Sequence, residues 1–452
     1  MIARLSVENY KSFNNKEEIN MVSSSKIRSH KDHKVKIKQT SLLKYAVIYG
    51  ANASGKSNLT DVFAFMRRCI EGGIPVDSFN DFCRIEKENK KRPSLFELQF
   101  TIGNHFYAYG FSVVLSTRKV TEEWLYELYQ DGTAKELFER EEGQAPMLGS
   151  DIKATEAEKN RFQVYAEDFA GHDASLFLTE MNRGKKYDKK SHLLFFKDVF
   201  TYLRQNIITL NPNVGIYNFN YYYDEKSLGR INDLIQTFDT GISHVSIRKI
   251  TMDELSNLIP EPILKQIIDD LRTRIRSSKS GNAQVSFRTP SNMINIRINA
   301  EGEQEITTLS MKHGSSVFNF DFKDESDGTR RIFDLIDMLI PSQDDIVYVV
   351  DELERSLHPK LTEHFLQLFM DAHQDQRVQL IFTTHEDSIM DQDLFRRDEI
   401  WFVERGADNA STIYSLDRFK ERYDKKLSKA YLDGRYGAIP VFKKFSFKQE
   451  DD

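Results

Sequence analysis

The sequence predicts an α/β protein: a mixed sheet carrying a phosphate-binding loop, with an antiparallel β region and a helical insertion built into it. Three observations lead there. A β-like run, residues 45–49, is followed by Gly50-Ala51-Asn52-Ala53-Ser54-Gly55-Lys56-Ser57 and then by a helix-like run over 59–69. Near-continuous apolar strands at 346–350 and 378–383 alternate with helical patterns over 328–339 and 361–372, as in a parallel sheet covered on both faces. Residues 95–102, 105–114 and 120–128 cluster aromatic and β-branched residues between turn signals such as Gly103-Asn104 and Asp131-Gly132, which reads as antiparallel strands.

The loop is G-x-x-x-x-G-K-S in the strand–loop–helix context that the motif needs. Gly50 and Gly55 let successive backbone N–H groups turn inward around a triphosphate, and the helix start adds its positive dipole end. Lys56 can reach the β- and γ-phosphates, and the Ser57 hydroxyl can ligate Mg²⁺. Asn52, Ser54 and Asn58 complete the set expected around the phosphates. The pattern points to a nucleoside triphosphate.

Distant residues fit the same chemistry. The 346–350 strand ends in Asp351-Glu352, where Asp351 would sit in the Mg²⁺ shell and Glu352 would polarise an attacking water. Ser356-Leu357-His358-Pro359 follows at once. The next strand ends in Thr383-Thr384-His385, at the edge where open α/β sheets bind ligands, so His385 could donate to a γ-phosphate. Upstream, Ser326 and Gly328 form an S-x-G turn that opens a helix and would present N–H groups to an anion. A plain helix N-cap explains that serine and glycine equally well.

Composition sets the limits. The 452 residues are 40% hydrophobic, 12% aromatic and 29% charged, ordinary for a globular chain. No apolar run of ~18 residues marks a transmembrane helix. The first ten residues read as a strand rather than a signal peptide, and the expected location is cytoplasmic. Cys69 and Cys83 have no metal-type spacing. A net charge of −6 argues against a generic polyanion binder. Two basic runs stand out, Lys26-Arg28-Lys31-Lys34-Lys36-Lys38 and Arg183-Lys185-Lys186-Lys189-Lys190; solvated loops or phosphate-tracking surfaces would both account for them. The expected organisation is an N-terminal lobe over 1–150 and a mostly helical insertion over 151–280. A C-terminal lobe over 281–452 follows, with strands at 283–288 and 293–298 returning the chain to the sheet.

Phosphate loop, S-x-G helix, apolar strand with Asp351-Glu352, S-L-H-P and T-T-H, in this order, resemble the ABC-type ATPase heads of the SMC, RecF and OLD families. Residues 5–13, Leu-Ser-Val-Glu-Asn-Tyr-Lys-Ser-Phe, are similar to the opening strand of those heads. Residues 234–242 and 431–440 (Tyr-Leu-Asp-Gly-Arg-Tyr-Gly-Ala-Ile-Pro) resemble bacterial abortive-infection ATPases of the RloA/AbiLi type. The resemblance implies ATP and Mg²⁺ as ligands and a homo-dimer or larger even-numbered assembly. In such an assembly Ser326 and Gly328 of one subunit would close on ATP held by Gly50, Gly55, Lys56 and Ser57 of another. It also implies Glu352 as general base and His385 as γ-phosphate sensor. A glutamine loop has no clear position, with Gln99 its only candidate.

The function implied is an ATP-driven sensor in antiphage defence, acting with a separately encoded effector, a nuclease or an RloB-like protein. Nucleic acid is a candidate ligand and a membrane is not. OLD-type enzymes append a Toprim nuclease, and Glu404 at the end of an apolar run mimics its start. The tail beyond Asp408 is too short for such a domain of about 100 residues. Asp391-Gln392-Asp393 falls in a polar turn, and Glu404 reads as a surface acid on a final strand. The rivals are a RecF/SMC-like DNA-maintenance ATPase and, with less support, an ABC transporter subunit. E-S-D-G-T departs from the transporter signature, and no helical segment sustains the heptads of an SMC arm.

Overall fold

The computed structural model describes residues 1–211, 220–223, 225–277, 283–289, 292–340, 344–419 and 426–440. The chain divides into two compact units. The first comprises Met1–Thr209, Gln343–Leu353 and Gln374–Asp452, and the second Leu210–Ser342 and Glu354–His373.

The first unit holds a six-stranded sheet in the order Ile207–Leu210, Val347–Val350, Gln379–Thr383, Tyr45–Tyr49, Ile400–Arg405, Ser411–Ser415. Val347–Val350, Gln379–Thr383 and Tyr45–Tyr49 are buried at every residue, which is why they read as unbroken apolar runs. They pair in parallel with Ile400–Arg405 alongside, Val350 beside Phe382, Thr383 beside Ile48 and Phe402 beside Tyr49. The first three of these strands therefore end within two residues of one another, Ile400–Arg405 runs three residues further, and the loops that follow share one edge.

A seven-stranded antiparallel sheet completes the unit, in the order Met147–Leu148, Ala134–Glu141, Lys119–Leu128, His105–Val114, Ser94–Ile102, Ile2–Glu8, Glu17–Asn20. Helix Lys56–Gly72 shares one apolar core with both sheets: Leu59, Val62, Phe65 and Met66 join Leu5, Val7, Phe96 and Leu98 as well as Ala46, Ile48, Val349 and Ile381. The strands expected over 95–128 are present, with two further ones in the stretch after Asp131. Within the stretch expected to be mostly helical, residues 174–181 form only the short helix Phe177–Glu180, while Phe195–Gln205 is a full helix. Within the second basic run, Lys185 is paired with Glu180 at 2.7 Å, and its ammonium lies 4.1 Å from the Tyr165 ring centre.

The second unit has its own sheet, Ile242–Lys249, Gln304–His313, Met293–Ile298, Ala283–Arg288 in that order, with Phe320–Asp321 paired to Gln304–His313. The strands at 283–288 and 293–298 therefore do not rejoin the phosphate-loop sheet; they pair with each other and with Gln304–His313. Helices Met252–Leu258 and Glu261–Ser277 cover this sheet through Leu255, Leu264 and Leu271 against Phe287, Ile294 and Ile296. The stretch 151–280, expected as one helical insertion, is divided at Thr209 and contains the strand Ile242–Lys249. Helices Asp327–Leu339 and Pro359–Ala372 belong to this second unit.

The opening Asn-Tyr-Lys-Ser-Phe run acts as a clip. Asn9 has a left-handed backbone, φ 50°, and is fully buried. Its amide donates to the carbonyls of Asn89 and Arg92 at 2.9 and 2.8 Å and accepts from Cys83 N–H at 3.1 Å. Asparagine tolerates left-handed geometry and here satisfies three buried backbone groups. Asn9→Ala should lose about 1–3 kcal/mol, the cost of leaving a buried backbone group unpaired. A shift of the urea midpoint at unchanged slope is the readout, and an unmoved midpoint would refute the clip.

Candidate functional site

The loop from Gly50 to Gly55 leaves the central strand and enters helix Lys56–Gly72 through a residue with φ 110°, Gly55. A Cβ on Gly55 would lie 2.5 Å from Ser411 Oγ and 2.6 Å from Ser12 Oγ, so both space and backbone demand glycine. A Cβ on Gly50 would collide with the Val403 carbonyl and Ser54 Oγ. The Lys56 ammonium lies inside the loop, donating to the carbonyls of Gly50 and Ala51 at 2.8 and 3.1 Å. The Ser54 hydroxyl is buried with no hydrogen-bond partner among the described residues. A cradle closed to side chains, with a buried cation and an unengaged hydroxyl, suits a phosphate chain.

Around this loop lies an open cleft of about 1140 Å³. Asn52, Ser54, Gly55, Lys56, Ser57 and Asn58 line it together with Glu352 and His385, residues the sequence separates by some 300 positions. Asp351 is buried directly behind. Its Oδ1 accepts from Thr383 Oγ1 at 2.7 Å, and the same hydroxyl accepts from the Glu352 N–H at 2.8 Å. Glu352 has φ 49°, a strained left-handed geometry that turns the chain sharply after the strand. Leu353 N–H to the Thr383 carbonyl, 3.1 Å, closes that turn.

Several cleft residues were not singled out from sequence for this role. Ser12 accepts from the Asn58 amide at 2.8 Å and, through its carbonyl, from Ser411 N–H at 2.8 Å. Ser411 Oγ donates to the Ser54 carbonyl at 2.5 Å. Tyr10 and Lys11 both donate to Asp61 on the phosphate-loop helix. Burial and the Asp61 carboxylate raise the Tyr10 phenol well above its ordinary range, so it stays a donor. Arg84 and Arg405 are exposed at the cleft with no ion pair among the described residues, which leaves positive charge for a polyphosphate. Thr383 could have been found from the T-T-H run, and Ser12 from the N-Y-K-S-F run; Ser411 and the two arginines carry no local signal.

Other expected positions lie elsewhere. Ser326 caps helix Asp327–Leu339 of the second unit, accepting from Thr329 N–H at 3.1 Å, and is exposed. Gly328 is half-exposed, and a Cβ there would come within 2.7 Å of the Ser356 carbonyl, in the S-L-H-P turn. His358 caps helix Pro359–Ala372, accepting from Lys360 N–H at 3.2 Å. Gln99 sits in Ser94–Ile102, bonded to Glu97 at 3.1 Å, and does not line the cleft. Glu404 is not a bare surface acid. It is half-buried, and its carboxylate accepts from Tyr414 OH at 3.0 Å and Ala438 N–H at 3.1 Å, while Ser411–Ser415 follows its strand.

A family model described as "AAA domain, putative AbiEii toxin, Type IV TA system" matches residues 46–391, well over half of the chain. No curated protein matches. Two solved structures align at length. One is the SMC head bound to the C-winged helix domain of ScpA, at 13% identity and TM-score 0.36, covering 92% of this chain and 97% of that one. The other is the SMC head domain from Thermotoga maritima, at 14% identity and TM-score 0.35, covering 92% and 98%. At such scores the chain's own sheets and phosphate loop, rather than these likenesses, define its mixed α/β P-loop ATPase fold.

Gly55→Ala should weaken binding of a fluorescent nucleotide by about tenfold or more, since left-handed strain alone costs about 1–3 kcal/mol. Unchanged affinity would mean that the loop is not the nucleotide cradle.

Proposed function

The chain belongs to that AAA-domain family, and on this premise we propose that it is an ATP-hydrolysing regulator of a bacterial antiphage system, controlling a separately encoded effector. One observation carries the enzymatic part: a single cleft joins the phosphate loop, Glu352 and His385. Lys56 pairs with the β- and γ-phosphates, where its charge is worth most in a partly closed site. Ser57 and Asp351 are the residues that would hold Mg²⁺, which neutralises phosphate charge when bound. Glu352 takes the proton of the attacking water, and His385 donates a hydrogen bond to the γ-phosphate.

Ser326 and Gly328 act from a second copy of the chain. The exposure of Ser326 and the partial exposure of Gly328, at a helix start on the second unit, support this reading. Closing two copies over ATP and releasing them on hydrolysis would couple chemistry to a change of shape, which is what a sensor needs. The defence role is supported by the family description, which names an AbiEii toxin and a type IV toxin–antitoxin system. The effector is a different polypeptide, a nuclease or an RloB-like protein.

The test has two readouts. In vitro, Glu352→Gln should keep ATP binding while hydrolysis falls about 10²–10⁴-fold, the usual contribution of a general base; hydrolysis at the wild-type rate would remove Glu352 from that role. In a phage-sensitive host carrying the native operon, wild type should protect and Lys56→Ala should not. Unchanged protection in Lys56→Ala would separate defence from ATP, and absence of protection in both would favour a DNA-maintenance ATPase of the RecF/SMC kind.

A further inference from the structure

Away from the nucleotide cleft, His30, Asp32 and His33 gather at the edge of the first unit. One ligand atom from each lies within 4.8 Å of the others. We propose that these three side chains form a binding site for a divalent transition ion of the zinc type, fastening the basic loop at 24–33 to the segment 391–399.

The local fold explains the grouping. His30 has φ 44° and ψ 66° and opens the 3-10 turn Lys31–His33, in which positions three apart lie one above the other. The two imidazoles are accordingly 4.7 Å apart at their centres. Histidine is among the few residues that tolerate this left-handed geometry, and the strain is at a ligand position.

Each ring already has the outer partner that metal-bound histidines use. His30 Nε2 contacts the Gln392 carbonyl at 2.7 Å, which leaves Nδ1 for an ion. His33 Nδ1 lies 3.0 Å from Glu399 Oε2, a fully buried carboxylate, and its Nε2 faces Asp32 Oδ2 at 4.0 Å. A carboxyl or carbonyl group behind each imidazole fixes the ring's orientation. Tetrahedral zinc, with bonds of about 2.0–2.1 Å, holds its ligand atoms about 3.3 Å apart. Asp32, whose side chain is 56% exposed, has room to turn toward the two imidazoles.

Arg396 and Lys44 both disfavour positive charge at His33, but each is held by partners of its own. Arg396 is bound to Asp398 at 2.9 Å and to the Ser29 carbonyl, and the Lys44 ammonium is turned to the Gln374 carbonyl. With two imidazoles and one carboxylate as ligands, a fourth position faces solvent and takes water. The ion would therefore reinforce contacts that already tie this loop to 391–399: His30 to Gln392, His33 to Glu399 and Arg396 to Ser29.

The experiment is titration of the chelator-treated, nucleotide-free full chain with Co²⁺, followed by visible absorption, and then displacement by Zn²⁺. About one equivalent should bind and give a tetrahedral spectrum. His30→Ala and Asp32→Asn, both at solvent-accessible side chains, should each weaken binding by about tenfold or more, since even outer-shell changes cost about 10–100-fold. Affinity for a fluorescent nucleotide should stay at the wild-type value in both. No tetrahedral spectrum with wild type, or an unchanged one in the His30→Ala/Asp32→Asn double variant, overturns the site.

Discussion

The Thr383 hydroxyl ties the acid turn to the strand beside the phosphate loop, and the geometry of the cleft depends on that tie. It donates to Asp351 and accepts from the Glu352 backbone, so one side chain orients a carboxylate and holds a strained turn at the same time. Left-handed geometry at a glutamate costs about 1–3 kcal/mol, and it persists because Thr383 accepts two hydrogen bonds from the turn, from Glu352 N–H at its hydroxyl and from Leu353 N–H at its carbonyl. The tie is possible only because Gln379–Thr383 lies between Val347–Val350 and Tyr45–Tyr49, all three parallel. Exchange of that strand order would part the acids from the phosphates.

The phosphate loop is braced from both ends of the chain. Ser12, four residues beyond the end of the N-terminal strand Ile2–Glu8, and Ser411, after the last parallel strand, both bond to it or to its helix. The 431–440 segment adds a third brace. Tyr431 and Tyr436 stack on Phe402 with ring centres 5.6 and 5.8 Å apart, and Tyr431 also lies 5.7 Å from Tyr49, the residue before Gly50. Gly437, at φ 71°, lets the chain pass close over Glu404 and Tyr414. The run Tyr-Leu-Asp-Gly-Arg-Tyr-Gly-Ala-Ile-Pro is thus built to pack against the base of the nucleotide loop, with its two glycines at turns and its two tyrosines inward.

What was legible in the sequence follows from how local each signal is. The phosphate loop, its strand and its helix could be read because the left-handed backbone at Gly55 and the burial of Tyr45–Tyr49 leave their signals within a dozen residues. The acid strand and the T-T-H strand could be read because burial on both faces leaves apolar runs. The strand Ile242–Lys249 was missed because only Ile242 and Val245 of its eight residues are buried, with exposed Ser243 and His244 breaking the pattern. The pairing of 283–288 and 293–298 was misassigned because hydrophobic alternation tells that a strand exists and not which sheet receives it. Glu404 read as a surface acid because its partners, Tyr414 and Ala438, are contributed by tertiary packing. Ser326 and Gly328 could be read as a turn opening a helix because an N-cap is a local signal, and Ser326 does cap Asp327–Leu339.

The central claim is that Thr383 positions the two acids for hydrolysis without itself holding nucleotide, and steady-state ATP turnover by Thr383→Val beside Thr383→Ser measures it most directly. Valine matches the shape and removes the hydroxyl, whereas serine keeps it. The account predicts turnover slowed about 10–100-fold in Thr383→Val with nucleotide affinity retained, as for loss of a partner that orients a metal-site carboxylate, and near wild-type turnover in Thr383→Ser. Wild-type turnover in Thr383→Val would contradict it.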